Sequence, residues 1–373
     1  MTKVAPVPFS NAVWSANALS AATTPERKNE HLFLKAGTLF DTDFILSHHV
    51  GSGTYGSVWA ARRVFDDELA PPTLALKVFD RHVSPSGGTN DYHSPDTSQI
   101  DCDLELNVHR AIIKQDIQLT HTHISAVITH GVDVPTGFRY LTFDYVSDPT
   151  LQDFLCTTHD GVKHSTFIPQ SPDMTRFIAK GLLSSIAFLH RVGFIHRDLS
   201  PSNMFVTNTG VKLCDLGMSC SSTKPDHRLY VVNRWLRAPE VILGLQQTPA
   251  LDIWSVGIIL ILVVFARYTM KGKSNGDQLL QTLRYTGPIS RTQFSELDSS
   301  QRTFYRTAAS RMDRPWALQH PFVVFVTYPV HETMTNPLKR QFCDMLLGMH
   351  NPDPHFRRSA ESLLLDPFIV DHA

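Results

Sequence analysis

The spacing of apolar residues changes several times along this chain, and each change marks a different element. Residues 44–63 carry two apolar runs around a glycine-rich turn, Gly51-Ser52-Gly53-Thr54-Tyr55-Gly56, and predict strand, turn, strand. Leu74-Ala75-Leu76-Lys77-Val78 predicts another strand, and so does the stretch from Tyr140 to Val146. Between them Leu104, Val108 and Ile112 share one helical stripe, with Glu105 beside it. Ser171-Pro172 supplies an N-cap and a proline at the first helical position, so a helix starts there, runs to about Arg191 and stops before Gly193. Asp252 opens an apolar helix. Its longest run, residues 256–266, is too short to span a bilayer and belongs in a core. A last helix covers about residues 338–349.

Other stretches lack such a pattern. Residues 1–40 mix small, polar and charged side chains and predict a mostly flexible extension, with the fold expected to start at residue 44. Residues 80–99 are rich in Pro, Gly, Ser and Asp and predict a loop. Residues 269–335 show no legible period.

Composition narrows the classes. With 373 residues, 42% of them hydrophobic, the chain can bury a large core as two or three domains or as one domain of two lobes. A formal net charge of −1 provides no global field to recruit nucleic acid or an anionic membrane, so neither is expected as a partner. Five cysteines without a C-x-x-C pair fit a reducing, intracellular compartment, cytoplasmic or nuclear. The nineteen histidines are scattered; His48/His49 and His121/His123 lack companion ligands and read as surface residues, not a metal site. Residues 1–30 have no apolar signal-peptide core.

The densest chemistry lies in residues 194–217. His196-Arg197-Asp198 is followed five residues later by Asn203, and Asp215-Leu216-Gly217 begins seventeen residues after Asp198. Asp198 can take a proton from a hydroxyl, while the amide oxygen of Asn203 and the carboxylate of Asp215 can hold Mg²⁺ between phosphates. Glycines in the 51–56 turn let backbone N–H groups approach phosphate oxygens with no Cβ in the way. A dinucleotide fingerprint would need a helix directly after the turn, but Ser57-Val58-Trp59-Ala60-Ala61 has strand character. Lys77 is either an edge-strand lysine with its head in water or a cation that grips phosphates and is braced by a helix carboxylate. Glu105 is the first candidate for that brace, with Asp101 and Asp103 as alternatives.

Taken in order over about residues 44–370, these motifs resemble a eukaryotic protein kinase. The G-T-Y-G of the glycine-rich turn and V-V-N-R-W-L-R-A-P-E at residues 231–240 resemble its cyclin-dependent and MAP kinase branch. The resemblance implies an α+β fold with a small β-rich lobe at about 44–146, a larger helical lobe at about 147–370, and an extension at 1–43. It implies transfer of phosphate from ATP, with Mg²⁺, to Ser or Thr hydroxyls of a protein substrate, before proline. Val50, Gly51, Ser52, Gly53, Thr54, Tyr55, Gly56, Ser57 and Val58 would cover the ATP phosphates. Ala75 would meet adenine, Phe143 would be the gatekeeper, and Asp144 and Val146 would offer backbone groups to the adenine edge. Lys77 would pair with phosphate and Glu105, Asp198 would accept the hydroxyl proton, and Asn203 and Asp215 would hold Mg²⁺. Glu240 would pair with Arg357 as a structural brace.

The chain also departs from that family. Ser200 stands where a lysine usually reaches the γ-phosphate, and Asn233 where a threonine usually links that lysine to the catalytic Asp; the expectation is that the Asn233 amide donates directly to Asp198. Arg228 occupies the activation-loop threonine position, next to a matching Tyr230, so Arg197 is expected to meet Asp226 or a phosphate on Ser221, Ser222 or Thr223. Thr54 and Tyr55 match inhibitory phosphosites, or serve simply as turn residues. Cys214 reads as a small buried apolar residue in preference to a reactive thiol. The acidic stretch 101–107 does not match a cyclin-contacting helix, which leaves a cyclin-like regulatory subunit open. The alternative to an enzyme is a pseudokinase acting as a binding scaffold.

Overall fold

The structure, a computed structural model, describes residues 34–53, 56–67, 70–79, 97–115, 123–159, 162–223, 233–312 and 334–370. The expectations placed on Thr54, Tyr55, Asp226, Arg228 and Tyr230, on residues 1–33 and on most of the 80–99 loop lie outside these residues.

Six antiparallel strands form the first lobe: β1 (Leu39–Phe40), β2 (Phe44–Gly53), β3 (Gly56–Arg63), β4 (Leu74–Phe79), β5 (Val127–Val132) and β6 (Arg139–Asp144), in the order β1-β2-β3-β4-β6-β5. Side chains alternate between the faces of a strand, so the register sorts them. Trp59 pairs with Leu76, Ala61 with Leu74, and Val78 with Tyr140; these residues bury one face together with Phe40, Phe44 and Leu46. The opposite face carries the paired columns Val58, Lys77, Leu141 and Ala60, Ala75, Phe143. One face is thus the lobe's own core, and the other is left for a helix and a cleft. Leu34 and Phe40 are buried in that core and β1 pairs with β2, so the extension expected through residue 43 is already part of the fold from residue 34.

Helix α1 (Thr97–Gln115) covers part of the second face, where Cys102 and Leu106 pack on Phe79 and Leu141. Its buried residues include Cys102, Glu105, Leu106, Val108, His109 and Ile112. Leu104, expected on that stripe, is exposed: the sheet selects the face one residue away.

The second lobe is built on helices α2 (Leu151–Leu155), α3 (Pro172–Arg191), α4 (Pro239–Leu243) and α5 (Ala250–Phe265). Helix α3 begins as expected, with Ser171 Oγ accepting from the Met174 N–H and Pro172 at its first position. Helix α5 is buried on nearly every side, from Leu251 through Val264, and forms the centre of the largest core. Burying each Leu, Ile or Val there contributes about 1.5–3 kcal/mol. Then follow α6 (Asn275–Thr286), α7 (Arg291–Glu296), α8 (Ser299–Ala309), α9 (Asn336–Met349), α10 (Ala360–Leu363) and α11 (Pro367–Val370). Among the described residues no helix is long and apolar enough to cross a membrane.

Candidate active site

A hairpin brings the two expected metal-holding residues together. Strands β7 (Met204–Thr207) and β8 (Gly210–Leu213) pair from Met204 opposite Leu213. Asn203 therefore enters the hairpin where Cys214 and Asp215 leave it, and the Cys214 N–H donates to the Asn203 carbonyl at 3.0 Å. The Asn203 Nδ2 donates to the Asp198 carbonyl at 2.9 Å and to its Oδ2 at 3.3 Å. One amide thus orients the Asp198 carboxylate and ties it to the hairpin.

Asp198 is held from behind by a residue that sequence reasoning had noted only as a helix start. Asp252, fully buried, accepts from the His196 N–H at 2.8 Å, the Arg197 N–H at 3.0 Å and the His190 Nε2 at 2.8 Å. Burial works to raise its carboxyl, but the His190 bond and the N–H donors win and hold it below the usual range. These bonds clamp Arg197 at φ 67, a left-handed conformation that costs a non-glycine residue about 1–3 kcal/mol. The Asp198 N–H in turn donates to His196 Nδ1 at 3.2 Å. A charged residue at the start of an entirely apolar helix was the available signal: a buried carboxylate needs partners.

Lys77 joins the lobes. Its Nζ lies 2.6 Å from Glu105 Oε2 and 2.7 Å from Asp215 Oδ1. The brace is therefore Glu105, not Asp103, and Asp101's side chain lies outside the described set. An ammonium has three N–H donors, and the third has no acceptor among the described residues. Burial alone would lower the Lys77 pKa, but the attraction of Asp215 and Glu105 outweighs it and holds the proton more firmly than usual. Glu105, fully enclosed, is pushed upward by burial, against the pull of Lys77. The short contact and the shared ammonium mark a charge-assisted bond. Burial also acts to raise Asp215, but Lys77 outweighs it and keeps this carboxyl low. Gly217 makes room for the cluster: a Cβ there would lie 3.1 Å from Glu105 Oε2, 3.3 Å from Asp215 Oδ1 and 3.5 Å from Lys77 Nζ.

The Asp198 carboxyl is raised, chiefly because burial penalises its charge, with Asp215 adding repulsion while His196 opposes. A carboxylate with a raised proton affinity, oriented by an amide, is suited to accept a proton. Cys214 is half-buried and its thiol is pushed far up by burial, so it stays protonated.

The other predicted positions surround this centre. Val50 is exposed at the end of β2, and Gly51 and Ser52 pair with Val58 and Ser57 across the hairpin. Gly53 pairs with Gly56, where β4 comes so close that a Cβ would stand 1.9 Å from the Val78 carbonyl oxygen. Ala75 and Phe143 are cross-strand neighbours on the Lys77 face, Asp144 ends β6, and Val146 follows in the connector. Arg357 forks onto both oxygens of Glu240 at 2.6 and 2.7 Å, as expected.

One expectation fails, while the Asp226 expected to meet Arg197 lies outside the described residues. Asn233 is exposed, and its Oδ1 accepts from the Trp235 N–H at 3.2 Å, capping the short helix Arg234–Leu236; it makes no hydrogen bond to Asp198. A short polar side chain meets the nearest free N–H before it reaches across a cleft. Arg197 Nε donates to the Met218 carbonyl at 2.7 Å and Nη1 approaches Gln247 Oε1 at 3.5 Å, while Ser221 Oγ pairs with Thr223 Oγ1 and Ser222 Oγ donates to Gly193. Ser200 Oγ lies 2.9 Å from Ser202 Oγ, so the position two residues after Asp198 carries a hydroxyl paired with another hydroxyl.

This geometry agrees with comparison to known proteins: a family model described as a protein kinase domain matches residues 44–369. The chain belongs to the protein kinase family. Serine/threonine-protein kinase SSN3 of Scheffersomyces stipitis is 26% identical over 350 residues, 87% of this chain and 76% of that protein. Mitogen-activated protein kinase 13 of Mus musculus is 29% identical over 247 residues, 65% of this chain and 59% of that one. Cyclin-dependent kinase F-3 of rice, Oryza sativa subsp. japonica, is 29% identical over 215 residues, 57% of this chain and 46% of that one. Its relatives thus lie in the cyclin-dependent and mitogen-activated kinase branch, and the chain spans only about half of the length of the latter two.

Kinase family membership implies ATP and a divalent metal. The donor set fits. Asn203 spends its Nδ2 on Asp198, its Oδ1 accepts nothing among the described residues, and the Asp215 side chain keeps 41% of its surface open. No group of three or more His, Cys, Asp or Glu that could hold a metal occurs among the described residues. Two protein oxygens completed by phosphate oxygens and water suit a small, hard cation.

Proposed function

We propose that this chain transfers the γ-phosphoryl group of ATP to serine and threonine hydroxyls of protein substrates, preferably those followed by proline. The carrying observation is the cluster in which Lys77 meets Glu105 and Asp215 while Asn203 orients Asp198. Lys77 uses its third N–H on the α- and β-phosphates. Asp198 receives the substrate hydroxyl proton as the oxygen attacks, and Asn203 keeps that carboxylate in line. The Asn203 Oδ1 and the Asp215 carboxylate would hold Mg²⁺, which when bound would neutralise charge on the phosphates. The glycine-rich β2–β3 turn closes over the phosphates, and Ala75 and Phe143 shape the adenine pocket. Val231, Val232 and Arg237 shape the substrate's proline site.

The Lys77–Glu105 bond closes within one chain. That supports an enzyme that seats α1 without a cyclin-like subunit. Ser200 lowers the rate without abolishing transfer: a missing donor at developing charge costs about 10²–10³-fold, against a kinase turnover of about 1–100 s⁻¹.

The test is transfer from labelled ATP·Mg²⁺ to matched Ser-Pro, Thr-Pro, Ser-Ala and Tyr-Pro peptides. Incorporation on Ser-Pro and Thr-Pro is expected to exceed that on Ser-Ala, with none on tyrosine. ATP binding without incorporation on any peptide would overturn the reading in favour of a scaffold.

A further inference from the structure

The chain as a whole is close to charge balance, with 34 Lys and Arg against 35 Asp and Glu. Residues 233–237 and 266–278 are not: Arg234, Arg237, Arg267, Lys271 and Lys273 stand against Asp277 alone. The fold puts these two stretches side by side. Arg234 Nη1 donates to the Lys273 carbonyl at 2.9 Å, and Trp235 Nε1 to the Gly272 carbonyl at 3.3 Å. Arg237 Nη1 donates to Asn275 Oδ1 at 2.9 Å. The Lys271 Nζ lies 5.6 Å from the Trp235 ring centre, and that ring packs 5.2 Å from Tyr268.

The frame beneath the lysines is fixed. The Gly272 N–H donates to Gln278 Oε1 at 2.8 Å, and a Cβ on Gly272 would stand 2.4 Å from the Gln278 backbone. The one carboxylate is already engaged: Asp277 Oδ2 accepts from the Lys273 backbone N–H at 2.9 Å. Lys271 and Lys273 are exposed, and neither ammonium meets a carboxylate among the described residues. Lys271 and Lys273, held on a rigid frame and without a carboxylate partner among the described residues, are preorganised for an external anion.

In sequence the shelf begins directly after Val231 and Val232, and it includes Arg237, the three residues assigned above to the substrate's proline site. We propose that it selects protein substrates carrying an anionic side chain, carboxylate or phosphate, near the phosphorylated residue. This rests on the phosphotransfer reading and names the substrate class that such an enzyme would take.

The experiment uses a Ser-Pro peptide in which each flanking position is replaced in turn by Glu, phosphoserine, Ala or Lys. The full chain is compared with the double variant Lys271→Glu/Lys273→Glu, after thermal unfolding shows that both are folded. An acidic residue at one or more positions is expected to raise kcat/KM about tenfold, mainly through KM, with the gain shrinking at high salt. In the double variant the acidic-to-neutral ratio should fall to one or invert. A gain from phosphoserine alone would identify phosphate as the anion; a gain from both would identify charge alone. A wild-type preference for neutral or Lys peptides, or an acidic preference unchanged in the variant, would overturn the proposal. Fluorescence anisotropy of the same labelled peptides with a non-hydrolysable ATP analogue separates the two readings. Acidic peptides that bind without being phosphorylated would sink the phosphotransfer reading and leave the shelf standing; equal binding of acidic and neutral peptides would sink the shelf.

Discussion

Glu240–Arg357 and Lys77–Glu105 are both buried pairs of a carboxylate and a cation, with contacts of 2.6–2.7 Å and 2.6 Å. They differ in what surrounds the cation. Arg357 is completely used: besides both Glu240 oxygens it donates to the carbonyls of Asn351, Ala250 and Pro352, and its ring-stacking partner is Trp254 at 5.1 Å. Neither side chain keeps more than 1% of its surface. Lys77 meets two carboxylates, retains a donor, and borders the open Asp215 side chain. The first pair is saturated and joins parts of the second lobe 117 residues apart. The second is unsaturated and faces the cleft. A saturated buried pair is a structural pin; an unsaturated one can bind a ligand.

The largest way to break the comparison is at the pin. Arg357→Met leaves Glu240 buried without a counter-charge and is expected to cost about 3–5 kcal/mol. Urea unfolding should show a correspondingly lower midpoint, or little folded protein at all. The double variant Glu240→Leu/Arg357→Met should recover much of that loss, since an apolar replacement removes the stranded charge. At the other pair, Lys77→Met should lower kcat about 10²–10³-fold, with the second-lobe fold retained by circular dichroism.

The pH dependence sharpens the same contrast. Asp198 must be ionised to accept a proton, and burial raises its pKa. The acid limb of kcat/KM is therefore expected above the ordinary aspartate value of about 3.9: activity falls as pH drops through the raised value and is level above it. A limb at or below that ordinary value would argue against Asp198 as the base. The smallest effect concerns the missing cation. Ser200→Lys with Asn233→Thr is expected to raise kcat about tenfold, part of what a donor at developing charge contributes, and a drop in activity would show that the Ser200–Ser202 pair has its own role.

Much of this was legible in advance, for particular reasons. Ser171-Pro172 started a helix because its cap needs only neighbouring residues, and Asp198, Asn203 and Asp215 were legible as a group because their spacing is fixed by one hairpin and one turn, whereas Lys77, 138 residues from Asp215, stood out as a charged residue in an apolar strand. Asp252 was missed as a clamp because its partners His196 and Arg197 are 55–56 residues away. Leu104 was misplaced because a helix stripe shows periodicity but not which neighbouring stripe the sheet will choose. The region 269–312 did carry readable starts: Ser290 with Gln293 and Asp298 with Gln301 form capping boxes that open α7 and α8. Asn233 was assigned to Asp198 by analogy with a threonine–lysine unit, yet its own N–H neighbour was closer.

The account turns on Asp198 receiving the proton within a centre that one chain closes by itself. The most direct measurement is single-turnover transfer from ATP·Mg²⁺ to a Ser-Pro peptide by the purified, phosphatase-treated chain, alongside Asp198→Asn at equal ATP occupancy. Transfer by the wild-type chain alone, reduced at least about 10²-fold in the variant, is the predicted result. Equal rates in the two proteins, or transfer only after a second protein is added, would contradict it.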